Sequence, residues 1–208
     1  HWRGIDYRAL LAACGTLPDI ARHILVGEDF SAMEAAIELA PATPRRTDEL
    51  AMLVYTSGTT ADPKGVMHSS RSLLAELDSQ AAMRGAVENE VILSPWPPGH
   101  VAGALSMLRF LVQGVPFVAL DQWDAAIAAE LIARHRVTSS SGTPFHLGGI
   151  IDAADRDGRD LSSLANYLVG AAPVPPTLVE RCVAQNLAVY HCYGSSEHPT
   201  VTSGIAAR

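Results

Sequence analysis

Residues 115–140 read VPFVALDQWDAAIAAELIARHRVTSS, and this run decides the fold class. Val115 to Leu120 is an apolar run of strand length, Asp124 stands where a carboxylate can cap a helix, and Ala125 continues without Gly or Pro to about His135. Val137 to Ser140 is again a strand. Outward from this unit the alternation repeats. Downstream, a helix at Phe145 to Ala154 and a strand at Tyr167 to Val169 are expected. A helix at Pro176 to Asn186, with Pro in its first turn, and a strand at Ala188 to His191 follow.

Upstream, Val91 to Leu93 reads as a strand and Ala102 to Val112 as a helix. A helix from Ser69 or Ser70 to about Met83 places Leu73, Leu74, Leu77 and Ala81 on one face. Leu50 to Tyr55 reads as a buried strand running into a loop, Pro41 to Arg46 as a polar connector, and Ile24 to Val26 as a short strand. Ile5 to Cys14 reads as a helix, with Asp6 near its start and Gly15 past its end. Short apolar strands separated by helices of about ten to fifteen residues predict an α/β fold with a doubly wound, mostly parallel sheet and flanking helices. In such sheets ligands sit beyond the carboxyl ends of the strands.

Composition narrows the function. The 208 residues carry 15 Lys plus Arg against 22 Asp plus Glu, a net charge of −7. At 48% hydrophobic and 18% charged the chain is too apolar for disorder. Its acidic balance argues against a nucleic-acid or anionic-membrane surface, since both need clustered cations. Three cysteines (Cys14, Cys182 and Cys192) do not make a disulfide framework and suit a reducing, cytoplasmic compartment. Val101 to Leu120 is almost wholly apolar, but Arg109, Gln113, Gly114 and Pro116 interrupt it. An arginine at the centre of a span costs about 2.5–3.5 kcal/mol on insertion scales, so a core helix followed by a core strand is expected and no membrane span. The chain opens on His1 without a signal-peptide pattern and is expected to be an internal piece of a longer protein.

Chemistry concentrates after the first long strand. Thr56-Ser57-Gly58-Thr59-Thr60-Ala61-Asp62-Pro63-Lys64-Gly65 holds four hydroxyls, two glycines and one lysine. Glycine lets backbone N–H groups approach an anion, hydroxyls donate, and lysine supplies charge, so the loop has the composition of a phosphate cradle. It lacks Walker A spacing, and a polar Gly/Thr turn has the same composition.

Tyr55 to Gly65 resembles the phosphate-loop signature of the adenylate-forming superfamily of acyl- and aryl-CoA ligases, luciferases and peptide-synthetase adenylation domains. Ala61 stands where that signature usually has glycine. Ser94 to Gly103, with Pro97, His100 and Gly103, is similar to the Pro-x-x-His-x-x-Gly segment of acyl-CoA ligases. Gly170-Ala171-Ala172-Pro173 looks like the family's adenine-contacting turn. Tyr193-Gly194-Ser195-Ser196-Glu197 resembles its Tyr-Gly-x-Thr-Glu motif, with Ser196 in place of Thr. The resemblance covers residues 1–208 and implies an internal piece of the large N-terminal AMP-binding domain, without the small C-terminal domain and its catalytic lysine.

The resemblance also implies roles. Thr56, Ser57, Gly58, Thr59, Thr60 and Lys64 would bind ATP phosphates, and Gly170, Ala171, Ala172, Tyr193 and Gly194 the adenine side. Ser196 would touch the α-phosphate, Glu197 would hold Mg²⁺, and His100 and Gly103 would line the acid pocket. Lys64, Ser196 and Glu197 are the candidate catalytic residues. The implied reaction activates a small carboxylic acid with ATP and passes the acyl group to coenzyme A. Leu120 to Asp124 and Thr143 to Phe145 are similar to ligases for fatty, medium-chain or alicyclic acids such as cyclohexanecarboxylate. Two alternatives stay open, transfer to a carrier-protein thiol and a non-catalytic nucleotide-binding module, and a homo-oligomer is compatible with each. A zinc site at His191, Cys192 and His198 is disfavoured, because adjacent strand residues point to opposite faces. The fragment alone is expected to lack adenylation activity.

Overall fold

The computed structural model describes residues 4–15, 30, 33, 45–56, 62–84 and 87–204. The chain divides into two units, His1–Pro44 and Arg45–Arg208. In the first, helix α1 (Tyr7–Ala13) begins where Asp6 accepts hydrogen bonds from the amides of Arg8 and Ala9 at 3.0 and 3.1 Å. That cap satisfies two of the four N–H groups left open at a helix start. The strand expected at Ile24 to Val26 and residues 41–44 of the connector lie outside the described residues.

The second unit opens on a two-stranded hairpin, β1 (Leu50–Thr56) and β2 (Lys64–Ser69), paired antiparallel from Leu50↔Ser69 to Thr56↔Lys64. This corrects two expectations. β1 is not a buried strand: among its residues only Val54 is buried. The hydroxyl-rich loop joins two strands rather than a strand and a helix. The reason lies in β2, where Val66 and His68 are buried and their neighbours are not, the period-two pattern of a half-buried strand. Helix α2 (Ser70–Arg84) starts only after it, with the Ser69 hydroxyl accepting from the Ser72 amide at 3.2 Å. Leu73 and Leu77 are buried, whereas Leu74 is exposed and lies off the packed face.

The main sheet contains β3 (Ile92–Ser94), β4 (Phe117–Ala119), β5 (Ser139–Gly142), β6 (Asn166–Val169), β7 (Ala188–Tyr193) and β8 (Thr202–Ser203). Their order is β4-β3-β5-β6-β7-β8, with the first five parallel and β8 antiparallel at the edge. Helices α3 (Val101–Gln113), α4 (Ala125–His135), α5 (Pro144–Asp157) and α6 (Pro176–Ala184) form the crossovers. The α/β, mostly parallel expectation is met. β5 starts two residues later than expected, after Arg136 turns through a left-handed conformation (φ 50°). β8 had no strand-like run to announce it.

Among the described residues the windings bury three apolar clusters, two of which bear on the site. Leu93, Ile132, Val137, Leu147, Ile150, Tyr167, Val169 and Cys182 form the larger one between the sheet and α4, α5 and α6. Val54, Val66, Leu73, Leu77, Val101 and Leu105 join the hairpin to α2 and α3. The chain steps from β3 outward to β4, then returns past β3 to β5 and onward. The reversal between β3 and β5 is the topological switch point, where the loops part and leave a crevice. Gly114 ends α3 in a left-handed conformation (φ 68°), so the apolar stretch breaks at 13 helical residues. Among the described residues no helix is long and apolar enough to cross a membrane.

Candidate functional site

A cavity of about 260 Å³ opens at that crevice. Its walls come from the loop after β3 and the start of α3, and from the ends of β5, β6 and β7. Of the residues singled out from the sequence, His100, Gly170, Ala171, Gly194 and Ser196 line it together, although they span nearly a hundred positions.

His100 is held by its own helix. Its Nδ1 accepts from the Ala102 amide at 3.1 Å, capping α3, so the neutral ring carries its proton on Nε2. The ring stacks on Trp96 with centroids 4.7 Å apart and planes 14° apart. Desolvation by that packing holds its pKa below the ordinary histidine value, so it is neutral near pH 7. Trp96 is fixed in turn, donating from Nε1 to the Ser141 hydroxyl at 3.1 Å. Gly103 is buried one turn into α3, where a Cβ would overlap the Pro97 carbonyl oxygen. Its visible effect is the close seating of α3 on the loop, and it is not on the cavity wall.

The turn after β6 carries Ala171 at φ 63°, a left-handed conformation that costs a non-glycine residue about 1 kcal/mol. Such strain collects at functional turns. Gly170 packs against β7: a Cβ there would stand 2.8 Å from the Cys192 Sγ. Ala172 is exposed and off the wall.

The turn after β7 is closed by two backbone bonds. The Ser195 amide donates to the His198 carbonyl at 2.9 Å, and the Val201 amide to the Tyr193 carbonyl at 2.8 Å. Gly194 allows this, since a Cβ there would overlap the Pro199 carbonyl. Tyr193 is exposed and Glu197 faces a neighbouring cleft with His68, Ser72, Glu76 and His198. The buried His68 ring nitrogen Nε2 meets the Ser196 carbonyl at 2.8 Å and so fastens β2 to this turn. The Glu197 carboxyl is held below its ordinary value. Its own backbone N–H does most of this, then the Ser195 hydroxyl, with the positive charge of Lys64 and His68 adding. The strand that begins at Lys64 and the turn that bears Glu197 are thus tied together at His68.

At the hairpin end Thr56 pairs with Lys64, and its hydroxyl donates to the Lys64 carbonyl at 3.4 Å. Ser57, Gly58, Thr59, Thr60 and Ala61 lie outside the described residues. His191 and Cys192 line different cavities, as neighbours on a strand must. Among the described residues no group of three or more His, Cys, Asp or Glu could hold a metal by itself. Burial raises the Cys192 pKa, so it stays a thiol.

Sequence reasoning gave no site role to Trp96, Leu105, Ser106, Ser141 or Arg109, which also line the cavity. The signal for two of them was helical spacing: Leu105 and Arg109 follow Val101 at four-residue steps along one face of α3.

A doubly wound α/β domain with its cavity at the switch point, walled by glycine turns after three parallel strands, is a ligand-binding domain of the nucleotide-handling class. The chain belongs to the AMP-binding enzyme family, whose model matches residues 9–207. It is 29% identical over 205 residues to the medium/long-chain-fatty-acid–CoA ligase FadD8 of Mycobacterium tuberculosis, covering 97% of this chain and 35% of that one. The inhibitor-bound N-terminal domain of FACL13 from Mycobacterium tuberculosis superposes with a TM-score of 0.75 at 26% identity, covering 82% of this chain and 43% of that one. O-succinylbenzoate coenzyme A synthetase (MenE) from Bacillus subtilis, in complex with ATP and magnesium ion, gives 0.70 at 27%, covering 77% and 33%. The chain thus spans about 35% of the length of the first of these relatives.

Proposed function

We propose that this chain supplies the phosphate-binding and acid-binding part of an AMP-forming acid–thiol ligase, which activates a carboxylic acid with ATP and transfers the acyl group to coenzyme A. The observation that carries the reading is the 2.8 Å contact of His68 with the Ser196 carbonyl. It joins the strand that follows the hydroxyl-rich loop to the turn that bears Glu197, beside a cavity with mixed polar and apolar walls.

Lys64 and the hydroxyls of Thr56, Ser57, Thr59 and Thr60 would hold the β- and γ-phosphates, with Gly58 giving the backbone its approach. Gly170, Ala171, Ala172, Tyr193 and Gly194 would bound the adenine. Ser196 would donate to the α-phosphate, and His100, neutral and fixed on Trp96, would flank the reacting carboxylate without repelling or neutralising it. An exposed carboxylate kept ionised fits Mg²⁺, which takes few protein ligands and prefers phosphate and water oxygens. Glu197 would hold it, and when bound the ion withdraws charge from the phosphates. No protein nucleophile is required; the chain's residues position and neutralise.

The test uses the full-length gene product, with AMP and thioester measured across a panel of carboxylic acids. Glu197→Gln is expected to lower kcat at least tenfold and leave the KM for the acid within about twofold, as befits a group that acts on developing phosphate charge. Equal loss in both parameters overturns the role of Glu197. No AMP from any acid overturns the ligase reading.

A further inference from the structure

The cavity wall holds a charged group that an apolar acyl chain would not need. Arg109 follows His100 by 109 − 100 = 9 residues on α3, which is about 13 Å along the axis at 1.5 Å per residue. α3 starts over the carboxyl end of β3, and Arg109 lies back at its amino end, against Glu90. The pair is bidentate, at 3.0 and 2.6 Å, with side chains 6% and 14% exposed. Arg109 Nε also donates to Gln113 at 3.1 Å. Three of the five guanidinium N–H groups are thus used, and each terminal nitrogen keeps one more.

Ile92, Val101 and Leu105 share the wall, and Gln80, Ser140 and Thr200 also line the cavity. Arg109 is buried, and a buried guanidinium edge is costly unless an acceptor meets it. Ser106 stands three residues before Arg109 on the same helix and lines the same cavity. Its hydroxyl donates to the Ala102 carbonyl at 3.0 Å, so its lone pairs face outward as acceptors. One donor and one acceptor therefore stand on one wall, Arg109 about 13 Å and Ser106 about 9 Å along the helix axis from His100.

We propose that the acid activated here carries a hydroxyl on its tail, about as far from the carboxylate as Arg109 lies from His100 along α3, which accepts from Arg109 and donates to Ser106. This rests on the ligase reading above. A second carboxylate is disfavoured there, because Glu90 already neutralises Arg109 and would repel it. The site selects a hydroxy acid over both a plain fatty acid and a dioate.

AMP release by the full-length gene product is compared for decanoate, ω-hydroxydecanoate and decanedioate, with the octanoate series bracketing the length. The hydroxy acid is expected to exceed the plain acid in kcat/KM by about tenfold or more, the worth of a hydrogen bond to a charged donor, while the dioate gains nothing. In Arg109→Met/Glu90→Leu, which removes both charges together, the ratio falls to about one with the KM for ATP unmoved. Ser106→Ala, which leaves the ion pair whole, also lowers the ratio and decides the matter if the double variant does not fold. A plain acid or dioate preferred while AMP still forms overturns the hydroxyl and leaves the ligase reading standing. Absence of AMP with every acid overturns the ligase reading itself.

Discussion

His100 shows how one residue can be both cap and wall. Its Nδ1 is committed to the Ala102 amide and its face to Trp96, so protonation would break the cap and charge a desolvated ring. Its folded pKa is therefore depressed, and the unfolded chain binds more protons between that value and the ordinary histidine pKa near 6.5. By linkage, stability rises with pH through that window: it is full above about pH 6.5 and falls as acid carries the ring through its folded pKa. His146, also depressed by burial, adds to the same slope. His100→Asn keeps an acceptor for the cap and removes one titrating group. Denaturant midpoints at about pH 7.5 and pH 5.5 should differ less in this variant than in the parent, with a residual slope from His146. An unchanged difference would show that the His100 ring is not what resists protonation. The motif around His100 was legible in the sequence; that its ring also caps α3 shows only in the structure.

Most elements were legible because their patterns are local. Asp124 caps α4, which ends at His135, and its carboxylate accepts from the Ile127 amide at 2.9 Å. The hairpin was not, because β2 is short, begins with Lys64-Gly65 and ends in serines that equally signal a helix start. What decides it is long-range: Val66 packs with Leu77, Val101 and Leu105, and His68 reaches a turn 128 residues away. Such contacts have no local signature. The tie is testable as an element. His68→Leu keeps an apolar body for the cluster but leaves the Ser196 carbonyl without its partner, at a cost of about 1–3 kcal/mol. In the full-length gene product the KM for MgATP should rise severalfold while the KM for the acid stays within about twofold. His68→Gln, whose amide can donate in place of the ring, should recover part of the loss. Equal effects on both substrates would reduce His68 to a packing residue.

At the scale of the molecule, the parallel sheet gathers turns distant in sequence at one crevice, and the family signatures mark those turns without giving their arrangement. Motif reading found the turns after β6 and β7 because their residues are contiguous. It missed Arg109 as a site residue because the one feature noticed, a charge inside an apolar run, was spent on excluding a membrane span. A cavity wall is built from one side chain per helical turn, and only the packing of α3 on the sheet turns that spacing into a surface. The same geometry sets what 208 residues can do alone. They bring the turns after β3, β6 and β7 together at one crevice and set Glu76 beside Glu197 on the neighbouring cleft, yet no lysine is among the described residues lining either cleft. Ligand binding needs only the walls, whereas turnover needs every charge on the reacting centre neutralised in place. MgATP should therefore raise the Tm of the isolated chain in proportion to RT ln(1 + [L]/Kd), while carboxylate-dependent pyrophosphate exchange stays at background. Exchange at the rate of the full-length gene product would mean that these walls already hold the whole catalytic apparatus. No shift in Tm at millimolar MgATP would mean that the turns meeting at the crevice do not form a nucleotide site.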